Sequence, residues 1–249
     1  MVPVSRSTKR RAVGTLSGRS HDPLDLRLEV LTELVEHLTG DVVLRHVAGR
    51  RVLLLGERAK RIEAWTAELA ASIETLPDEV VLAGGPLPHD DASFDVVLCL
   101  RTVGRMEVPA EPGQDPARRL FAEVARVLDA RGQFLVDFEN PRSLRGSYYK
   151  VRNPKTVIEP GPWLAETAVG LTRFDTLGRF LRLVPPTLSL TDFYGVQVLI
   201  PAPHALALPL VGRLLAALEW RARDNGLLRH FGAHVLCILR KLSGPVPGQ

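Results

Sequence analysis

Apolar and polar positions along this chain fall into blocks whose periods switch repeatedly between helix-like and strand-like. Leu24, Leu28, Leu31, Leu34, Val35 and Leu38 recur at helical spacing behind Asp22-Pro23, which suits a helix start, so the pattern predicts a helix over 22–39 ended by Gly40. Arg51-Val-Leu-Leu-Leu-Gly56 is a short continuous apolar run, as expected of a strand buried on both faces. Glu57 to about Ala71 reads as a helix with Ile62, Trp65, Leu69 and Ala70 on one side. Ser72-Ile-Glu74 and Glu79-Val-Val-Leu82 read as short strands, and Gly84-Gly-Pro-Leu-Pro88 as a loop.

A second buried strand is predicted over Phe94–Arg101, then a helix from Leu120 with a glycine stop at Gly132, followed at once by the strand Gln133–Phe138. Farther on, 179–186 and 234–241 read as strands, with an apolar helix at about Leu208 to Trp220 between them. Strands alternating with helices predict a mainly parallel sheet covered on both faces. With 249 residues and 45% hydrophobic content the chain can build one sizeable core, so 22–242 reads as a single α/β domain.

Charge changes this picture little. Much of the formal net charge of +4 lies in Arg6, Lys9, Arg10, Arg11 and Arg19, within 1–21, a stretch with no apolar periodicity that reads as a disordered basic tail. No aromatic residues are interleaved with these charges, so nothing favours nucleic acid as a partner. Residues 243–249 are rich in Pro and Gly and read as a flexible tail. Cys99 and Cys237 sit singly inside apolar runs, which suits reduced, buried thiols and a cytoplasmic setting. Every long apolar stretch is broken by Pro or Arg, so no transmembrane segment is predicted. No metal-ligand spacing, HExxH motif, CxxC pair or Ser-His-Asp order is present.

The order of elements, with the wording SFDVVLCLR at 93–101 and AEVARVLDARGQFLVDFENPRS at 122–143, resembles the class I S-adenosylmethionine (SAM) dependent methyltransferases, close to their small-molecule and lipid-type members. The resemblance implies a Rossmann-like, doubly wound, mostly parallel sheet of the seven-stranded type. It also implies a closing antiparallel hairpin with His234–Arg240 as last strand, and SAM as cofactor. In the family the first strand ends in a pattern like V-L-D-x-G-x-G-x-G. Val52, Leu53 and Gly56 match it, whereas Leu54 stands in place of the acid and Arg58 and Lys60 in place of the second and third glycines.

Glu74 lies at roughly the distance of the acid that holds the ribose, although a solvated surface carboxylate explains it as well. The segment after it is shortened, and Leu82-Ala-Gly-Gly85 replaces the acid near the adenine. Gly56, Glu74 and Arg101 are therefore the cofactor-binding candidates. The end of the strand Phe134–Phe138 faces the usual crevice of such sheets and brings in Asp137, Glu139, Asn140 and Arg142. Asp137, Glu139 and Asn140 are the catalytic candidates together with Tyr148, which with Tyr149 stands to cover an acceptor pocket or pack on the surface.

Val103-Gly-Arg-Met106 stands where the family often carries a Glu-His pair. His89 is the histidine expected nearest the crevice, while His46, His204 and His234 read as structural. The helix near 201–220 reads as a core helix, a lid or an association surface. Two functions follow. One is a methyltransferase-like pseudoenzyme with a degenerate cofactor pocket, serving as scaffold, regulatory subunit or partner of an active homologue or other protein subunit. The other is an active enzyme on a small organic or lipid-like acceptor.

Overall fold

A computed structural model describes residues 23–56, 62–109, 112–152, 162–167, 170–200 and 209–242. Four parallel strands form its centre in the order β2 (Ser72–Leu76), β1 (Arg51–Leu55), β3 (Phe94–Cys99) and β4 (Leu128–Glu139). β8 (His234–Lys241) runs antiparallel along β4, and β7 (Leu188–Val196) antiparallel along β8. The hairpin of β5 (Trp163–Thr167) and β6 (Gly170–Phe174) touches this sheet at the tip of β4, through Glu139 and Phe174.

Both faces are covered along 52–55 of β1, 96–99 of β3 and 134–136 of β4, which is why these stretches are continuously apolar rather than alternating, while β2 at the edge is partly exposed. On one face Leu53, Leu55, Val97, Cys99, Phe134, Val136 and Phe138 form a cluster with Leu120, Phe121 and Val124 of α4 (Pro116–Val127) and Phe180 of α6 (Leu177–Leu181). On the other, Val52, Leu54, Val96, Leu98, Leu135, Leu236 and Ile238 join Val42, Val43 and Val47 of α1 (Pro23–Val47) and Ile62, just before α2 (Glu63–Ala67). Asp115 caps α4 by accepting a hydrogen bond from Ala117 N at 2.9 Å, and Pro116 takes the first position, where its missing N–H goes unmissed.

Several elements differ from the sequence reading. α1 does not stop at Gly40 but continues to Val47, because Gly40 is pressed against Trp65, where a β-carbon would lie 2.7 Å from Cζ3, and Val42, Val43 and Val47 beyond it are fully buried. The expected strand at 79–82 is a short helix, α3 (Asp78–Leu82), started by Pro77 and favoured by two acids in its first turn. The expected strand at 179–186 is α6 followed by a turn, with β7 beginning only after Pro185-Pro186. α4 gives way to β4 at Leu128, so Gly132 lies inside the strand, packed under the Leu128 side chain. The β5–β6 hairpin was absent from the sequence reading. Of the helix expected over 57–71, residues 57–61 fall outside the described residues.

Buried charges fasten the outer pieces. Arg173 of β6, fully enclosed, pairs with Asp115 at 2.9 Å and Asp175 at 2.6 Å, so the hairpin is tied to the start of α4. α5 (Leu144–Arg152) leads from β4 toward this hairpin. In α7 (Pro209–Asp224), Arg223 reaches Asp41 of α1 at 3.0 Å, and Glu219 accepts hydrogen bonds from the backbone N–H groups of Val198, Leu199 and Ile200. Truncating a buried ion pair leaves its partners charged and unsolvated. Arg173→Ala is therefore expected to lower unfolding free energy by about 3–5 kcal/mol, and Arg45→Ala, from an exposed pair, by less than about 1 kcal/mol; urea unfolding midpoints read the difference.

Candidate functional site

Because β1 to β4 run parallel, their C-terminal ends share one edge of the sheet, the place where open α/β sheets bind ligands. At the end of β1, Gly56 adopts a φ of +87°, a conformation that suits glycine. A β-carbon there would lie 2.7 Å from Thr102 Oγ1 and 2.8 Å from Asp78 Oδ1. Thr102 follows β3 and is fully buried; Asp78 follows β2 and is held at 2.7 Å by Arg105 of the 3-10 turn Val103–Arg105. The protein's own side chains thus line the exit of β1, and an ion pair spans from the end of β2 to the turn after β3.

On the other side of β3 lies a second group. Asp137, buried in β4, accepts a hydrogen bond from Arg101 N at 2.5 Å. Arg101 has a φ of +57°, which for a residue with a β-carbon is strained by roughly 1–3 kcal/mol. Its side chain turns toward β8, where Nη1 donates to His234 Nε2 at 2.6 Å. Since a guanidinium only donates, Nε2 accepts and the ring proton sits on Nδ1, 3.2 Å from Glu139 Oε2. Arg145, in the first turn of α5, approaches both His234 Nε2 and Glu139 Oε2 at 3.5 Å. Burial, opposed by Arg101, pushes the Asp137 carboxyl up to about 6.

The remaining candidates are dispersed. Asn140 acts as a staple: its amide donates to His230 O and Gly232 O, each at 2.9 Å, and its side-chain oxygen accepts from Arg142 N. Arg142 is exposed and lines a cleft of about 20 Å³ with Leu177, Phe193 and His230, room for one water. Tyr148 is more than half exposed on α5 beside Tyr149, which packs toward Phe174. Glu74 pairs with Leu53 in the middle of β2, short of the strand end, and points to His89 at 3.6 Å. His89 itself lies against Phe94 at the start of β3, away from the edge that carries Gly56.

Leu54 is fully buried in the layer beneath α1, and Arg58 and Lys60 lie outside the described residues. Sequence reasoning missed Asp78, Arg105, Arg145 and His234 as residues of this edge. For His234 the signal was topological: a last strand antiparallel to β4 begins where β4 ends.

No protein-family model matches the chain, and a search of curated proteins finds no match. Among solved structures, a SAM-dependent methyltransferase from Mesorhizobium loti is similar over 85% of this chain and 100% of its own, at 16% identity and a TM-score of 0.52. The chain has the class I SAM-dependent methyltransferase fold. Methyltransferases from Methanosarcina mazei and Thermotoga maritima are also similar, at 14% and 17% identity, TM-scores of 0.49 and 0.47, over 82% and 87% of this chain and 98% and 94% of theirs. At this edge of the methyltransferase fold SAM is the expected cofactor. Beside Gly56 at this edge stand Thr102 and Asp78. Among the described residues there is also no cluster of His, Cys, Asp and Glu able to hold a metal ion, and no helix long and apolar enough to cross a membrane.

Two outcomes test the electrostatics. The Asp137 carboxyl binds its proton more tightly folded than unfolded, so stability falls as pH rises from about 4 to about 6, by on the order of 2–3 kcal/mol. Asp137→Asn keeps an acceptor for Arg101 N and is expected to flatten that segment of the profile, read from urea midpoints at pH 4, 5, 6 and 7. Leu54→Asp, which would restore the family's acid, is expected instead to lose about 3 kcal/mol or more by placing a carboxyl in the apolar layer shared with Val42, Val43 and Ile62; thermal unfolding measures it.

Proposed function

We propose that this protein is a methyltransferase-fold pseudoenzyme whose cofactor crevice is taken by its own side chains, and that it works as a scaffold, regulatory subunit or partner of an active homologue in the cytoplasm. The observation that carries this reading is the crowding of Gly56 by Thr102 and Asp78, with Arg105 locking Asp78 in place at 2.7 Å. A ligand entering there has to break an ion pair and displace a buried hydroxyl before it gains any contact, and each lost partner opposes binding. Leu54 supports the same reading, since an apolar side chain cannot attract the ammonium group of SAM.

The experiment is a calorimetric titration of the full chain with SAM and with its demethylated product. No saturable heat is expected up to about 1 mM ligand, a level that corresponds to roughly 4 kcal/mol of binding free energy or less. Dissociation constants below about 100 µM would overturn the proposal. Arg105→Ala frees Asp78 but leaves Thr102 and Leu54, and is expected to remain silent too.

A second reading has its own support. Asp78 follows β2, beside Gly56, closer to the site of a ribose-holding acid than Glu74 is. If the Asp78–Arg105 pair opens when SAM arrives, the protein is an active SAM-dependent methyltransferase on a small organic or lipid-like acceptor. Arg105→Ala would then bind SAM more tightly than the native chain does.

A further inference from the structure

α5 turns an apolar side outward. Leu144, Tyr148 and Val151 recur at i, i+4 and i+7, so they share one face of the helix, and they are 54%, 54% and 81% exposed. The other side is fixed to the domain. Gly146 lies so close to the preceding main chain that a β-carbon there would stand 2.6 Å from Asn140 O, and Tyr149 packs against Trp163, Ala165 and Phe174. Single exposed apolar side chains are ordinary on a protein surface, but three in register on one short helix form a stripe.

The charges that go with this stripe have one sign. From Asn140 to Arg152 the sequence holds Arg142, Arg145, Lys150 and Arg152 and no acid. Arg145 is compensated by Glu139 of β4 at 3.5 Å. Arg142, exposed at the turn into α5, and Lys150 have no acid paired with them among the described residues. Burial and the neighbouring charge of Arg142 lower the pKa of the Lys150 ammonium, as expected of two cations with no acid between them. Aliphatic side chains beside an aromatic one, flanked by cations, match the boundary between headgroups and acyl chains of an anionic bilayer. A lipid surface needs only the exposed side of the helix. A protein groove that takes up an amphipathic helix has to reach around flanks that Gly146 and Tyr149 keep against the domain. Nucleic acid would meet the cations but leave Leu144 and Val151 with nothing apolar to bury against.

We propose that α5 is a membrane-surface contact, with Leu144, Tyr148 and Val151 entering the headgroup region of an anionic bilayer and Arg142 and Lys150 meeting its phosphates. The contact is peripheral, since no helix among the described residues is long and apolar enough to cross a membrane. Because α5 follows β4 directly, it keeps the end of that strand near the lipid. It goes beyond the closed-crevice reading and does not depend on it.

The test is flotation of the full chain with vesicles of phosphatidylcholine alone and of phosphatidylcholine with about 30 mol% phosphatidylglycerol, in about 0.1 M sodium chloride. The native chain is expected to partition onto the anionic vesicles about fivefold or more better than onto the neutral ones. Leu144→Ser combined with Val151→Ser is expected to weaken that partition about tenfold or more, and Arg142→Gln combined with Lys150→Gln about fivefold or more. Leu214→Ser, at a 60% exposed apolar position on α7, is expected to leave it unchanged. Circular dichroism of each variant checks that the domain remains folded. Insertion is read separately. Cys99 and Cys237 are buried, so a polarity-sensitive dye attached to the Val151→Cys variant reports the surroundings of the stripe, and a blue shift with anionic vesicles is expected. Equal flotation with both vesicles, anionic binding that survives the paired serine substitution, as the basic residues of 1–21 alone would give, or an unshifted dye would overturn the contact. No vesicle carries an adenosyl group, so failure here and failure of the closed-crevice reading are separate results.

Discussion

A carboxylate buried in β4 sets the course of the chain as it leaves β3. Asp137 accepts the N–H of Arg101, and that bond holds Arg101 in a left-handed conformation where an extended main chain would carry straight on. With the backbone turned at this point, successive residues go to opposite sides. Arg101 sends its guanidinium toward β8, and Thr102 drops against Gly56 at the exit of β1. Both candidate sites take their shape from one hydrogen bond.

The electrostatics of that bond explain why a buried acid is tolerated. Burial alone favours the neutral form of Asp137, whereas the positive charge of Arg101 and its backbone N–H favour the ionised one, and the carboxyl settles at about 6 between the two. Glu139, two residues on and on the same face of β4, adds a second acid within 4.0 Å of Arg101. Arg145 brings the compensating cation from α5. The chain thus assembles alternating charges at the mouth of β4, while the two neighbouring thiols, Cys99 and Cys237, are pushed up by burial and by the Asp137 charge and stay protonated.

Much of the central sheet could be read from the sequence, because 52–55 of β1, 96–99 of β3 and 134–136 of β4 are apolar without interruption and admit few alternatives. The last strand was legible for the same reason. What failed were short elements whose state depends on neighbours. Val80-Val81-Leu82 has strand-forming residues, yet Pro77 and the acids behind it start a helix, and Gly40 loses to the packing of Val42 and Val43 around it. Of the site, Asp137, Glu139 and Arg101 were legible as residues at a strand end, and the structure brings them together. Glu74 is the surface carboxylate that the sequence also allowed, paired with Leu53 inside β2, and His89 lies in the loop before β3 against Phe94, so neither joins the C-terminal edge. His234 belongs to an element distant in sequence, and only the antiparallel pairing of β8 with β4 puts it beside Glu139, whereas Arg145 comes from α5, which follows β4 directly.

The crowding at Gly56 follows from the backbone path more than from any single side chain. The connection from β2 to β3 is reduced to a five-residue helix and a loop. Gly84, at a φ of +59°, presses that loop against Pro116, so closely that a β-carbon there would lie 2.3 Å from the Pro116 carbonyl oxygen. Glu123 and Arg126 of α4 then hold the loop through Leu87 and His89. With its far end fixed on α4, α3 starts immediately after β2, and its first residue, Asp78, is delivered to Gly56. Arg105 completes an arrangement that the chain has already imposed, so relieving the ion pair alone leaves α3 where it was.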